Sequence, residues 1–275
     1  MLTDRTITLH GSRFHYTERG APDAPAVVML HGVTGHARTW DDEGAALASR
    51  YRVLALDQRG HGDSDPSPDA DYTIASLASD LAAFVDALGL QTFAVVALSL
   101  GGRVAMQYAG THPGRVTRLV VVDIGPDIAP DGRVRVGKMM ATTPERFSTL
   151  EDVVAYQRAN NPRYTEALLR ARVHYGVRSL PDGGFTWKYD RGLRELVRSG
   201  RWSDPIDLWP AWRAIDCPTL LVRGAESDIL TPDIALKMIE AQPKARSVEV
   251  AGAGHTVPGD QPDTFKKLMR EFLDA

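Results

Sequence analysis

Cysteine is almost missing from the 275 residues: Cys217 stands alone, so no intramolecular disulfide can form. It precedes Pro218 at the start of an apolar stretch with no histidine nearby in sequence, and reads as a structural residue. No charge of one sign dominates. Lys and Arg number 32 against 35 Asp and Glu, for a formal charge of -3, and the basic residues are scattered singly, which argues against a nucleic-acid partner. Apolar runs are short, the longest lying near Ala26–Leu30, so no membrane span is expected and no membrane partner. Met1–Thr8 lacks a basic stretch followed by an apolar one, and together with the single cysteine this points to a cytoplasmic location. There is no internal repeat or low-complexity tract. No glycine-rich turn has the G-x-G-x-x-G or Walker spacing, which leaves no support for a nucleotide cofactor.

What is present is an alternation of strands and helices. Ile7–Glu18 reads as a hairpin turning at His10-Gly11-Ser12. Ala26–Leu30 is a continuous apolar run suited to a strand buried on both faces, and Tyr51–Asp57, Phe93–Leu98 and Val116–Asp123 read as further strands. Between them, Trp40–Leu47 is a short helix. Ile74, Leu77, Ala78, Leu81, Phe84, Val85 and Leu88 recur at helical spacing. This rhythm predicts an α/β protein with a mostly parallel sheet, helices on both faces and an antiparallel edge hairpin. From Ile124 to about Ala214 the rhythm stops, and Arg, Trp, Tyr and Pro gather among helical stretches such as Leu150–Asn160 and Thr165–Tyr175. It resumes with Pro218–Gly224, a helix over Asp233–Ala241, Arg246–Val250 and a closing amphipathic helix. The expected organisation is a core over 1–124 and 215–275 with an α-helical cap inserted at 125–214.

The stretch Phe93-Ala94-Val95-Val96-Ala97-Leu98-Ser99-Leu100-Gly101-Gly102 carries the chemistry. A buried strand ends in a serine among small residues and passes into a helix, the geometry of a nucleophile elbow. Here the chain resembles the α/β-hydrolase family, whose elbow pattern is G-x-S-x-G. The sequence has Ala97 in place of the first glycine. The resemblance covers nearly the whole chain. It implies the α/β-hydrolase fold with an inserted helical cap, and Phe185–Asp190 resembles a segment found late in such caps.

A serine hydroxyl needs a base in hydrogen-bond reach and a third group to orient that base. Ser99, Asp228 and His255 occur in the order that the resemblance implies, each after a predicted strand of one parallel sheet, whose carboxyl edges converge. His255 is the expected base, in the glycine-rich stretch Gly252-Ala253-Gly254-His255. The resemblance places the acid at Asp228, in the Gly224–Asp228 loop. Glu226, two residues away, and Asp123, which ends the strand after the elbow helix, are rivals. Backbone N–H groups of Leu100 and Val33 are the expected oxyanion donors, the first at a helix N-terminus. His31, beside Gly32, reads as a buried structural histidine. Asp57-Gln58-Arg59-Gly60-His61-Gly62-Asp63-Ser64-Asp65 resembles the family's D-x-R-G-x-G-x-S segment and reads as an internally paired loop. It has no clear metal-ligand spacing, so no metal is expected.

A serine nucleophile sets this chain apart from the dehalogenases and epoxide hydrolases of the fold, which use aspartate. The reading is therefore a carboxylic ester or lactone hydrolase acting through an acyl-Ser99 intermediate, without cofactor, on a small-molecule substrate with a short to medium acyl chain. Trp187, Trp209 and Trp212, with Tyr189 and Trp202, are candidates to line the acyl site. Carbon-carbon bond hydrolysis, perhydrolysis and a hydrolase-derived small-molecule receptor stand as alternatives, and self-association into a homo-oligomer stays open.

Overall fold

Side chains of a β-strand point alternately to its two faces, and here both faces are apolar. The computed structural model describes residues 1–199 and 206–275. Its strands are β1 (Thr3–Leu9), β2 (Ser12–Arg19), β3 (Ala26–Leu30), β4 (Arg52–Leu56), β5 (Phe93–Leu98) and β6 (Val116–Val122). Strands β7 (Val177–Ser179) and β8 (Phe185–Trp187) form a separate small hairpin, and β9 (Thr219–Gly224) and β10 (Ala245–Val250) rejoin the main sheet. Among the described residues that sheet has eight strands in the order β1-β2-β4-β3-β5-β6-β9-β10. The pairs β1/β2 and β2/β4 are antiparallel and the remainder parallel, as expected of an edge hairpin on a parallel sheet.

Phe93, Val95 and Ala97 of β5 join one hydrophobic cluster, and Ala94, Val96 and Leu98 the other. The first cluster is covered by α2 (Ile74–Ala87), α3 (Leu100–Thr111), α8 (Trp209–Ala214) and α9 (Pro232–Ala241). The second is covered by α1 (Asp41–Leu47), the short α10 (Val257–Asp260) and α11 (Pro262–Asp274). At about 25 cal/mol per Å² of apolar surface withdrawn from water, this double-sided burial is the main source of cohesion. Cys217 is part of the first cluster, and burial pushes its thiol up to about 11, which suits a packing role.

Between β6 and β9 the chain leaves the sheet. It forms α4 (Pro130–Thr142), α5 (Leu150–Asn160), α6 (Glu166–Gly176), the β7/β8 hairpin and α7 (Arg191–Arg198). Helix α5 begins in a capping box in which Thr149 and Asp152 satisfy each other's backbone N–H groups. Phe147, Val153, Val154, Val173, Val177, Trp187 and Tyr189 make a small core of their own within this region. Helix α8 differs. Although it lies before residue 214, it packs on α3, with Leu208, Trp212 and Ile215 in the main cluster. The chain thus rejoins the main core before β9.

Among the described residues, the buried Glu43 has no ion-pair partner. Glu43 of α1 is 3 % exposed, and burial pushes its carboxyl up to about 7. The folded state holds this proton more tightly than the unfolded chain, so its effect on stability is unfavourable once pH rises from the ordinary glutamate range through about 7. Glu43→Gln should therefore stabilise the protein at pH 8, by on the order of 2–3 kcal/mol, and change little at pH 4.5. Denaturant melts at both pH values check this; an equal change at both would show that the carboxyl is not the cause.

Candidate active site

Ser99 sits between the end of β5 and the start of α3 with φ 53° and ψ -118°, a region that non-glycine residues rarely occupy. Its backbone is held from two sides. Ser99 N–H donates to Val122 O at 3.1 Å, and Arg103 N–H donates to Ser99 O at 3.1 Å to start the helix. The helix can approach the sheet because a Cβ on Gly101 would lie 2.5 Å from Leu30 O. Ala97, in the place of the family's first glycine, is fully buried between β3 and β6 without disturbing the register.

His255 follows β10 and reaches back over the neighbouring strand ends. A side chain at Gly224 would bring a Cβ to 2.0 Å from Gly254 O, so the glycines on both loops let them touch. The imidazole Nε2 lies 2.9 Å from Ser99 Oγ, and Nδ1 lies 2.8 Å from Asp123 Oδ2. Serine, histidine and a carboxylate are therefore in line, but the carboxylate is not the one expected.

The expectation of Asp228 as the histidine's partner is corrected by this geometry. Asp228 is instead paired with Arg135 of α4, which donates to it through Nε at 2.5 Å and Nη2 at 2.8 Å. That guanidinium holds the Asp228 carboxyl below its ordinary range. Glu226 is likewise taken up by Arg163, just after α5. Asp123 wins because β6 is hydrogen-bonded directly to β5, one strand from the serine, with Leu98 paired to Val122. It is fully buried, has φ 51°, and accepts hydrogen bonds from Gly224 N–H (2.8 Å) and from the Ser227 hydroxyl, besides facing His255. Ser227 Oγ in turn accepts from Ile229 and Leu230 N–H, so its hydroxyl orientation is fixed. Sequence reading missed Ser227. The visible signal for Asp123 was a lone carboxylate directly after the apolar run Leu119–Val122.

Val33 lies in the loop after β3 and Leu100 is the first residue of α3, directly after the serine. Among the described residues, neither N–H donates to a protein acceptor, which leaves both free for a ligand oxygen. Gly32 brings the loop close: a Cβ there would lie 3.2 Å from Ser99 Cβ. His31 is buried and structural in its contacts. Its Nδ1–H donates to Gly32 O, Nε2 accepts from Gln58 N–H, and burial lowers its pKa to about 3, so it stays neutral.

A cavity of about 600 Å³ opens over Ser99 and His255, roofed by α4, α5, α6 and the β7/β8 hairpin. Trp187 and Tyr189 line it. Trp187 is nonetheless pinned, its indole N–H donating to Pro144 O, and it stacks with Tyr189. The expectation that Trp209 and Trp212 line the same site is not met. Both lie on α8 on the α3 side of the sheet, where Trp212 is fully buried and donates to Met238 O, and Trp209 packs against the main core. Trp202 lies outside the described residues.

The Asp57–Asp65 loop is cross-braced. Asp57 faces His15 Nδ1 at 2.7 Å and accepts from the N–H groups of Ala37 and Asp63. Burial alone would raise its pKa, but the His15 hydrogen bond and the neighbouring donors outweigh this and hold it at about 2. Among the described residues, His15, Asp57 and Asp63 are near enough together to suggest a cation site, yet their atoms already serve these bonds and an ion pair with Lys188.

With this geometry in view, the family is plain: residues 25–262 match the alpha/beta hydrolase fold family model, and the chain belongs to that family. It is 32 % identical over 256 residues to the 3-hydroxybutyrate-oligomer hydrolase of Cupriavidus necator, covering 88 % of this chain and 87 % of that protein. It is 29 % identical to the esterase Rv0045c of Mycobacterium tuberculosis, covering 94 % and 85 %. The crystal structure of E-2-(acetamidomethylene)succinate hydrolase superposes over the whole of both chains with a TM-score of 0.92 at 26 % identity. These likenesses place the chain among the hydrolases of the fold.

The two candidate acids are separable by experiment. Asp123→Asn should slow the reaction of Ser99 with a fluorophosphonate by about 10³-fold or more. Asp228→Asn should change it by less than about tenfold, since its carboxylate is spent on Arg135. Labelling rates followed by intact mass decide, and the reverse ranking would return the acid to Asp228.

Proposed function

We propose that this protein is a serine hydrolase that cleaves carboxylic esters or lactones through an acyl-Ser99 intermediate, with Asp123 rather than Asp228 as the acid. The observation that carries the proposal is the hydrogen-bonded line Ser99 Oγ, His255 Nε2, His255 Nδ1, Asp123 Oδ2, with contacts of 2.9 and 2.8 Å, at the floor of a cavity. His255 takes the Ser99 proton as Oγ attacks the substrate carbonyl carbon. Asp123 keeps the proton of its bond on Nδ1 and balances the imidazolium. The oxygen of the tetrahedral intermediate, now negative, receives the N–H groups of Val33 and Leu100, the latter at the positive end of α3. Collapse expels the alcohol, which takes the proton from His255. Water then attacks the acyl-enzyme by the same route in reverse, releasing the acid and free Ser99.

The strained backbone at Ser99 supports the reading. A left-handed residue costs about 1–3 kcal/mol and persists only where surrounding structure enforces it. Two of the relatives, an esterase and an oligomer hydrolase, are named for hydrolytic chemistry that agrees with this reading. Trp187 and Tyr189 supply the apolar part of the acyl wall.

A panel of aryl esters and acyl lactones tests the proposal. Wild-type protein should turn over members of the panel and take up one fluorophosphonate at Ser99. Ser99→Ala should lose both, with turnover down by at least about 10³-fold and the melting temperature nearly unchanged. Labelling without turnover of any ester or lactone would sink the hydrolase assignment in favour of a binding role, and full activity in Ser99→Ala would remove the nucleophile.

A further inference from the structure

Three arginines reach the cavity from the cap, and two of them are spoken for. Arg135 is bound to Asp228, and Arg163 to Glu226 with Asp260 3.9 Å away. Arg172, in the middle of α6, has no carboxylate within ion-pair distance among the described residues. Its Nη1 donates to the Tyr164 hydroxyl at 3.1 Å and the guanidinium lies over the Tyr164 ring, 4.8 Å from its centre. Its Nε is buried with no hydrogen-bond partner. Glu43 feels the charge of Arg172 but forms no ion pair with it.

An unpaired guanidinium with an orphaned buried N–H is costly unless something else completes it. The surroundings hold it in place all the same. Its backbone carbonyl accepts from His36 Nε2 at 3.2 Å, which ties α6 to the core loop after β3. Tyr164, 4 % exposed, presses on Gly259, where a Cβ would meet the ring at 2.3 Å. Gly259 belongs to α10, which starts two residues after His255, so the Arg172–Tyr164 pair stands in the same cavity as the histidine. Because Tyr164 accepts from Arg172, its own hydroxyl proton is free to donate. Together they offer a fork of N–H groups and one O–H.

We infer that Arg172 and Tyr164 form a carboxylate-binding subsite, so that the substrate is an ester or lactone carrying a free carboxylate away from the scissile bond. The inference rests on the serine hydrolase reading for the reaction, but the anion site itself does not depend on turnover. One unpaired cation balances one negative charge, which suits a carboxylate, and the planar guanidinium fork matches its two oxygens. Binding energy gathered at this remote group would orient the scissile carbonyl over Ser99.

Two p-nitrophenyl esters that differ only at the acyl terminus test it: mono-p-nitrophenyl glutarate, ending in a carboxylate, and p-nitrophenyl valerate, ending in a methyl group. The ratio of kcat/KM for the charged ester to that for the neutral one should fall by about tenfold or more in Arg172→Met, with most of the change in KM. A fall of less than tenfold overturns the inference. A second measurement needs neither turnover nor that variant. Glutarate should bind Ser99→Ala in calorimetry and slow fluorophosphonate labelling of the wild type, whereas glutaramide at the same concentration should do neither. Equal behaviour of the two compounds also overturns the inference. Failure of the hydrolase reading is distinct: it would appear as missing Ser99 labelling or missing hydrolysis of both esters, with glutarate binding intact.

Discussion

The left-handed backbone at Ser99 is the constraint on which the site depends. A residue with a Cβ avoids that conformation unless its neighbours leave no alternative. Here β5 is locked between β3 and β6, and α3 must start at once to bury Val104, Ala105 and Tyr108 against the same sheet. The turn between two elements so firmly placed has to be sharp, and the serine stands at its apex. Gly101, pressed to Leu30 O, removes the last obstacle to this close approach. Strain in one residue is thus sustained by burial in dozens.

The same parallel packing gathers the other groups. Strand ends β5, β6 and β9 lie side by side, so loops that are distant in sequence share one edge. Asp123 is the only one of the three candidate acids to be fully withdrawn from solvent, and its carboxylate is saturated by directed donors from Gly224 and Ser227 besides His255. Asp228 and Glu226 stand farther out and meet cap arginines instead. These partly exposed ion pairs contribute little to stability, about 1 kcal/mol or less each, but they connect the loop after β9 to the roof of the cavity.

That roof is unlike the floor in chemistry. Beneath, the cavity is framed by Ser99, His255 and backbone donors. Above, it carries arginines, tyrosines and a pinned tryptophan, held by a small aromatic core around Phe147 and Trp187. Of the three arginines lining the cavity, Arg135 and Arg163 are neutralised within the protein, and among the described residues Arg172 has no carboxylate partner.

Much of this was determined by sequence alone. Short continuous apolar runs such as Ala26–Leu30 and Phe93–Leu98, rich in valine and followed by glycine- or serine-bearing turns, suit strands buried on both faces, and the abrupt Leu98-Ser99-Leu100-Gly101 junction suits a sharp turn, so the fold and the serine were legible. His255 was legible too, as the histidine in a glycine-rich loop after the last strand. Three things required the tertiary structure. Which acid meets His255 depends on strand order: nothing local says that β6, rather than the loop after β9, presents its carboxylate inward. Whether a tryptophan lines the cavity or the core depends on where its helix packs, and α8 returns to α3 while Trp187 stays in the roof. Which arginine is unpaired depends on distances across the cavity, because pairing is a property of neighbours in space. Periodicity and turn chemistry act over a few residues and can be read along the chain, whereas partnership between charges is decided only when the chain has closed.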